Sequence, residues 1–385
     1  MAAACSSRST GGAAAAPTSA ATSAPGPTSS DAGSASAPAD SSGVLAAVYK
    51  GTLSDPASTP RPGVKGKKIV IISAGQASIS SSIPVNAAQA AAKALGWSVS
   101  IYDEQLNPAN GPGLVRQALN SGADGIILDA IDCAGVKAPL EEAKKKGVAV
   151  VPIYAYDCND PAAGKGGVAL FSAPINYGPD AVNNLGAFAE KYGYAQAQAV
   201  IAATGGKAKV VFFNDDTVTV LHYTGKGFLA GMKTCAACSV VANVGFTGLD
   251  LGPTLQQKAA SILLQHPEAN AVKSPYTAAT LLSIAPAITQ SGHASKLFVM
   301  GGEGFQPELD LLRNHQGVDA VMISPSDWTG WAAVDTLNSV FANKPPAFSG
   351  LGWQLVDATH NLPATGSFTP SVDFKSVYKK AWGVG

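Results

Sequence analysis

Apolar residues recur along the chain in two alternating forms, helical stripes and short runs without polar interruption. Leu114, Val115, Ala118 and Leu119 make a stripe at helical spacing, closed by Gly122, whose missing Cβ suits the left-handed turn after a helix. GIIL at 125–128 then reads as a strand covered on both faces. Val136, Leu140 and Ala143 repeat the helical spacing, Lys144 to Lys146 put positive charge at the negative end of that helix, and Gly147 stops it before a second buried run, VAVVPI at 148–153. Strands alternating with helices of this length, with no hairpin signal between them, predict a parallel, doubly wound α/β sheet with right-handed crossovers.

The same grammar extends both ways. KIVIIS at 68–73 and WSVSIYD at 97–103 read as strands flanking an alanine-rich helix at 86–95. After a Gly/Pro-rich bridge at 162–179 the pattern restarts: helix 180–203, strand KVVFF, helix 223–232, strand SVVANV, helix 254–264, strand NAVK, helix 277–289 and strand KLFVMG. From Gly66 to Gly385 there are 320 residues, enough for two lobes, and 46% hydrophobic content can fill two cores.

Composition changes at the N-terminus. Residues 6–43 contain only Ser, Thr, Gly, Ala, Pro, Asp and one Arg, too little apolar surface to offset the entropy of ordering. They read as a flexible tether. MAAAC, ending in Cys5, resembles a lipobox, implying lipidation of Cys5 and anchoring at the outer face of a membrane; the alternative is an incidental cysteine. Net charge is zero and 14% of residues are charged, against about 25% in an average soluble domain, so no nucleic-acid partner is expected.

Four further cysteines remain. Cys133 lies five residues past Leu128, and Cys158 five past Ile153. Equal offsets from neighbouring parallel strands make a disulfide geometrically reasonable, the alternative being two buried free thiols. Cys235 and Cys238 form a CxxC after a predicted helix end, where the dipole disfavours a thiolate, and no second ligand pair completes a metal site. A local disulfide is the expectation there.

KIVIIS, the helix ending in ALGW, SGADGIILDAID, KAPLEEAKKKGV, GKGFLAGMK, LFVMGGEG and QGVDAVMISPSDWTGWAAVD occur in order after Lys68. In that order and spacing the chain resembles a type I periplasmic (solute) binding protein of the ribose-binding cluster, the ligand-capturing component of ABC importers. The resemblance implies two Rossmann-like lobes with parallel sheets, joined by a three-crossing hinge near 173–177, 321–324 and 353–357. It also implies an extracytoplasmic, monomeric protein whose partners are a small-molecule ligand, an importer permease and, through a lipid, the membrane. The expected division is 1–65 as N-terminus and tether, 66–172 plus 321–350 as the first lobe, and 173–320 plus 351–385 as the second.

Open parallel sheets bind ligands at the carboxyl ends of their strands. The candidates there are Gln76, Ser78, Asp132, Tyr154, Tyr156 and Asp157 in the first lobe, and Asn214, Asp215, His222, Tyr276 and Glu303 in the second, with Ser326 and Trp328 after the second crossing. By resemblance, Tyr154 and Ala155 match the family's Asp-Arg pair, His222 a ligand-binding arginine, Tyr276 an asparagine, and Glu303 an aspartate that accepts sugar hydroxyls. The bland readings are helix capping for Asp132, an exposed loop position for His222, and core packing for one of the two tyrosines and for Trp328. The glycines around Glu303 suit close approach of a ligand. Asp132, Asp157 and Glu303 without a matching Lys or Arg favour a neutral polyhydroxylated or a cationic ligand over an anion.

Other function classes leave weaker traces. A repressor of this fold would carry a DNA-binding helix-turn-helix where the tether stands. No GxSxG, P-loop, HExxH or GxGxxG occupies a strand-to-helix turn, so neither an enzyme nor a cofactor is expected, and the five histidines show no metal spacing. A sensor that delivers its ligand to a membrane receptor is the alternative to an importer.

Overall fold

The computed structural model describes residues 41–164, 166–179, 184–215, 217–292 and 294–385. Cys5, most of the predicted tether and the expected helix start at Asp180 lie outside the described residues.

In chain order the elements are α1 (Ser41–Lys50), β1 (Lys68–Ser73), α2 (Ile79–Ala94), β2 (Ser98–Asp103), α3 (Gly111–Asn120), β3 (Gly125–Asp129), α4 (Lys137–Lys146) and β4 (Ala149–Ile153). They continue with α5 (Leu185–Ala203), β5 (Lys209–Asn214), α6 (Thr219–Met232), β6 (Ser239–Gly245), α7 (Pro253–Gln265), β7 (Ala271–Lys273), α8 (Thr277–Ala279) and α9 (Ala285–Gln290). The chain closes with β8 (Phe298–Met300), α10 (Gln306–Arg313), β9 (Ala320–Ile323), α11 (Ser326–Phe341), β10 (Gln354–Asp357) and α12 (Phe374–Trp382).

Two sheets result, in the orders β2-β1-β3-β4 and β10-β9-β8-β7-β5-β6, parallel throughout except for β10. Each has apolar cores on both faces. Ile69, Ile71, Ile127 and Val151 face α2 and α11, while Val70, Ile72, Ile126 and Leu128 face α3 and α4. In the second sheet Val211 and Val272 lie in one cluster, Val210 and Phe212 in the other. Uninterrupted apolar runs are what two-sided burial requires.

Several boundaries differ from the sequence reading. α2, the alanine-rich helix expected at 86–95, begins at Ile79 and carries Pro84 inside it, where the ring's missing N–H removes the bond to the carbonyl four residues back. The expected single helix at 277–289 is interrupted by a π-helical stretch, Thr280–Ile284. The segment from Val321, assigned to the first lobe, instead completes the second sheet: β9 pairs with β8 and β10, and the chain leaves that lobe only at 324–325. At the C-terminus, only β10 belongs to the second sheet. The stripe Phe374, Tyr378, Trp382 returns α12 to the first lobe, where Trp331 stacks on Trp382 at 5.5 Å.

The stretch before residue 65 is not all tether. The α1 side chains Leu45, Val48 and Tyr49 pack on the second lobe. The segment that follows bonds through the N–H groups of Thr52 and Ser54 to the carbonyls of Trp353 and Gly350, then through those of Arg61 and Gly63 to the carbonyls of Ala381 and Trp382. It forms a strap from one lobe to the other beside the hinge.

Both expected disulfides are present. Cys133 and Cys158, with Cα atoms 5.0 Å apart, close a separation of 25 residues, worth roughly 3 kcal/mol in the chain-entropy model. Cys235 and Cys238 pair locally, with Cα atoms 5.3 Å apart.

Candidate ligand-binding site

The carboxyl ends of the two sheets face each other, and the loops leaving them meet. Among the described residues, three sets of side-chain hydrogen bonds cross between these loops: Ser80 Oγ donates to Glu303 Oε2 at 2.8 Å, Thr219 Oγ1 to Asp132 Oδ2 at 2.7 Å, and the Tyr223 hydroxyl to both oxygens of Asp160 at 2.9 Å.

Asp132 occupies the N-terminal cap position of a short 3-10 turn, yet its side chain caps nothing. Its Oδ1 accepts from the Tyr156 N–H at 2.8 Å, which aims Oδ2 across the cleft. Burial pushes its pKa up, opposed by the bonds from Thr219 and Tyr156. Asp129, at the end of β3, is fully buried; desolvation pushes its pKa to about 8 against the lowering effect of the Ser81 and Ser73 hydroxyls, and among the described residues its Oδ1 has no hydrogen-bond partner. Gln76 does not reach out as expected. Its Nε2 donates to Ser73 Oγ at 2.7 Å, and Ser73 stands 3.4 Å from Asp129. Ser78 is half-buried at the start of α2 and makes no capping bond, while Ser80 reaches the other lobe.

Tyr154 and Tyr156 line one cavity of about 380 Å³ together with Asp160, Phe171, Tyr177 and Asn184. Strand alternation would send the two tyrosines to opposite faces. It is broken at Tyr154, whose φ is +50° and whose hydroxyl lies 3.3 Å from Ser326 Oγ and 3.1 Å from Thr329 Oγ1. Tyr156 stacks on Tyr223 at 5.2 Å, and among the described residues its buried hydroxyl has no hydrogen-bond partner.

Asp157 serves the backbone. Its carboxylate accepts from the N–H groups of Cys158, Leu170 and Phe171, clamping the first crossing loop. Trp328 is fully buried, donates Nε1 to the Ser349 carbonyl at 2.9 Å, and stacks on Phe374 at 4.6 Å, as its core-packing reading expects.

In the second lobe, Glu303 also accepts from the Thr277 N–H at 3.3 Å. Desolvation raises its pKa to about 7, the bonds from Ser80 and Thr277 lowering it and the charge of Glu308 raising it. Glu308, buried, accepts from the Gly302 and Gly304 N–H groups at 2.6 and 2.8 Å and from Thr277 Oγ1 at 2.7 Å, and so shapes the loop that presents Glu303. The flanking glycines answer to protein packing: a Cβ on Gly302 would lie 2.3 Å from the Thr277 nitrogen, and Gly304 has φ +75°. Tyr276 is half-buried beside Phe246, 5.9 Å between rings. Asp215 accepts from the Thr217 backbone and hydroxyl, and Asn214 is buried at the end of β5. His222 is exposed in the first turn of α6, and the residue of that turn that reaches the first lobe is Thr219.

Of the residues expected from the sequence, Asp132, Tyr154, Tyr156, Tyr276, Glu303 and Ser326 stand around the cleft. Sequence reasoning missed Asp129, Asp160, Ser80, Thr219 and Tyr223. Asp129 was within view, as the polar residue ending the GIILD strand.

A family model described as "Periplasmic binding protein domain" matches residues 70–345. No curated protein matches the chain. Among solved structures, a glucose-galactose binding protein from Geobacillus stearothermophilus is 19% identical, over 77% of this chain and 99% of its own, with a TM-score of 0.64. A 5-methylthioribose transporter solute binding protein from Thermotoga lettingae, in complex with 5-methylthioribose, is 17% identical, over 85% and 100%, with a TM-score of 0.64. A Caulobacter myo-inositol binding protein bound to myo-inositol is 16% identical, over 79% and 97%, again with a TM-score of 0.64. At these identities the likeness is one of fold. Among the described residues no helix is long and apolar enough to cross a membrane.

Proposed function

The chain belongs to the periplasmic binding protein domain family, whose members bind solutes without transforming them, and on that premise we propose that it captures a small, polar, sugar-like ligand between its lobes for an ABC importer. The observation that carries this reading is the pairing of Asp132 with Thr219 and of Ser80 with Glu303 across the cleft. These four groups offer hydroxyl and carboxyl oxygens from both lobes, so a polyhydroxylated molecule entering between them exchanges protein-protein hydrogen bonds for protein-ligand ones and favours the closed arrangement. The Tyr154, Tyr156 and Tyr177 rings supply apolar surface for a carbon frame. In this reading a lipid on Cys5 and the small-residue tether hold a monomer near the permease on the outer side of the membrane.

Thermal-shift measurement of the full chain against sugars, polyols and cyclitols tests it. A ligand that binds the folded state alone adds about 2.7 kcal/mol at a hundredfold excess over Kd. At least one member of the panel is expected to raise Tm by several degrees. A flat response across the whole panel contradicts the proposal.

A further inference from the structure

We propose that the cleft selects an amine-bearing polyhydroxylated ligand, an ammonium group on a sugar or cyclitol frame, over its neutral counterpart. The inference rests on the reading of this cleft as a ligand site and adds a ligand class to it.

Four carboxyl groups, Asp129, Asp132, Asp160 and Glu303, come together where the lobes meet, and among the described residues every hydrogen-bond partner they have is neutral. Asp129 faces Ser73 and Ser81; Asp132 accepts from the Tyr156 N–H and Thr219; Asp160 accepts from Tyr223 and the N–H groups of Ala162 and Ala163; Glu303 accepts from Ser80 and the Thr277 N–H. Among the described residues no Lys, Arg or His forms an ion pair with any of the four.

Acidic groups alone do not specify a ligand, but two buried polar atoms here also lack a partner. The Tyr156 hydroxyl, on a residue 4% exposed that lines the cavity, has none, and neither does Oδ1 of the fully buried Asp129 at the cleft end of β3. Buried polar atoms are ordinarily satisfied, so the orphan hydroxyl of Tyr156 on the cavity wall points to a group that a ligand completes. An ammonium brings three donors and a charge, whereas a hydroxyl brings one donor and none. The rings of Tyr154, Tyr156 and Tyr177 on the cavity wall add faces that attract a cation. The raised pKa values of Asp129 and Glu303 agree with carboxyl groups desolvated without a compensating cation.

Titration calorimetry on the full chain with matched pairs tests this: D-glucosamine against D-glucose, D-galactosamine against D-galactose, and scyllo-inosamine against scyllo-inositol, with N-acetyl-D-glucosamine as a control that retains the nitrogen and removes the charge. At least one amine is expected to bind tenfold or more tightly than its neutral partner, and N-acetylation is expected to erase the gain. Asp132→Asn, with Glu303→Gln as a second variant, should weaken the amine more than the neutral partner. Neutral partners binding as tightly as the amines in every pair would overturn the inference and leave the binding-protein reading standing. Silence from all the amines would also overturn it, and silence from both sets would remove that reading too.

Discussion

Replacing Arg61 by Ala is expected to lower the unfolding free energy by about 3–5 kcal/mol, the usual cost of stranding one member of a buried ion pair. Arg61 and Asp335 are both nearly inaccessible, and Nε donates to Oδ1 at 2.6 Å. Trp382 Nε1 donates to the same oxygen at 2.7 Å, so one carboxylate ties the strap, α11 and α12 together. The remaining guanidinium bonds go to the carbonyls of Ala57 and Thr59, which hold the strap's own turn. Burial already raises the Asp335 pKa, with the nearby Arg61 charge pulling it back down. In the variant that pull is gone and the pKa climbs further above its unfolded value of about 3.9. The penalty is then full above the folded pKa and fades as pH falls toward 4. Urea unfolding at pH 8 and pH 5 measures both effects. Arg61→Met with Asp335→Leu is expected to recover most of the loss, because neither charge is left buried. A single variant within about 1 kcal/mol of wild type at pH 8 would contradict this account of the strap.

Lys273→Met is expected to move stability the other way. Lys273 sits at the end of β7, between Phe212 of β5 and Met300 of β8, with no exposed surface. Among the described residues its Nζ has no hydrogen-bond partner, and it lies 5.4 Å from the Phe212 ring centroid. Desolvation lowers its pKa to about 7 from the usual 10.5. Between those values the folded protein has released a proton that the unfolded chain keeps, so stability rises with pH through this window and is lowest, on this group's account, below pH 7. A tenfold loss of proton affinity on folding corresponds to about 1.4 kcal/mol. Met fills nearly the same volume without a charge, so the gain at pH 7 should be several kcal/mol and should shrink toward pH 10. Guanidinium unfolding of both proteins at pH 7 and pH 9.5 measures it. Equal pH slopes in the two proteins would refute the assignment.

These two residues also mark where sequence reading loses its hold. The strands were legible because burial on both faces leaves an unbroken apolar run, as in KIVIIS and GIIL. Lys273 ends the strand NAVK, whose sequence carries no sign of its burial; the sheet order, which places β7 between β5 and β8, encloses it. Arg61 lies in a Pro-containing stretch with no periodicity, and its partner Asp335 is 274 positions away. Trp328 was ambiguous for the same reason: its stacking partner Phe374 arrives from the last helix.

Asp132 and Glu303 stood out because both lie just past buried strands, where open parallel sheets bind ligands. Ser80 and Thr219, which meet them from the opposite lobe, carry no comparable mark. Each is one small polar residue among several in a polar stretch, and only lobe docking selects it. Asp157 satisfied the same strand-end rule as Asp132, yet its carboxylate turned to the backbone of the crossing loop. Position past a strand names candidates, and the hydrogen bonds already made decide among them.

A ligand held between the lobes must touch both of them. The most direct test is the Kd of a ligand found in the thermal-shift panel, measured by calorimetry on wild type, Asp132→Ala and Glu303→Ala. Each substitution, one in each lobe, is expected to weaken binding tenfold or more while the variants remain folded. Unchanged affinity in both would place the ligand elsewhere and contradict the interlobe site.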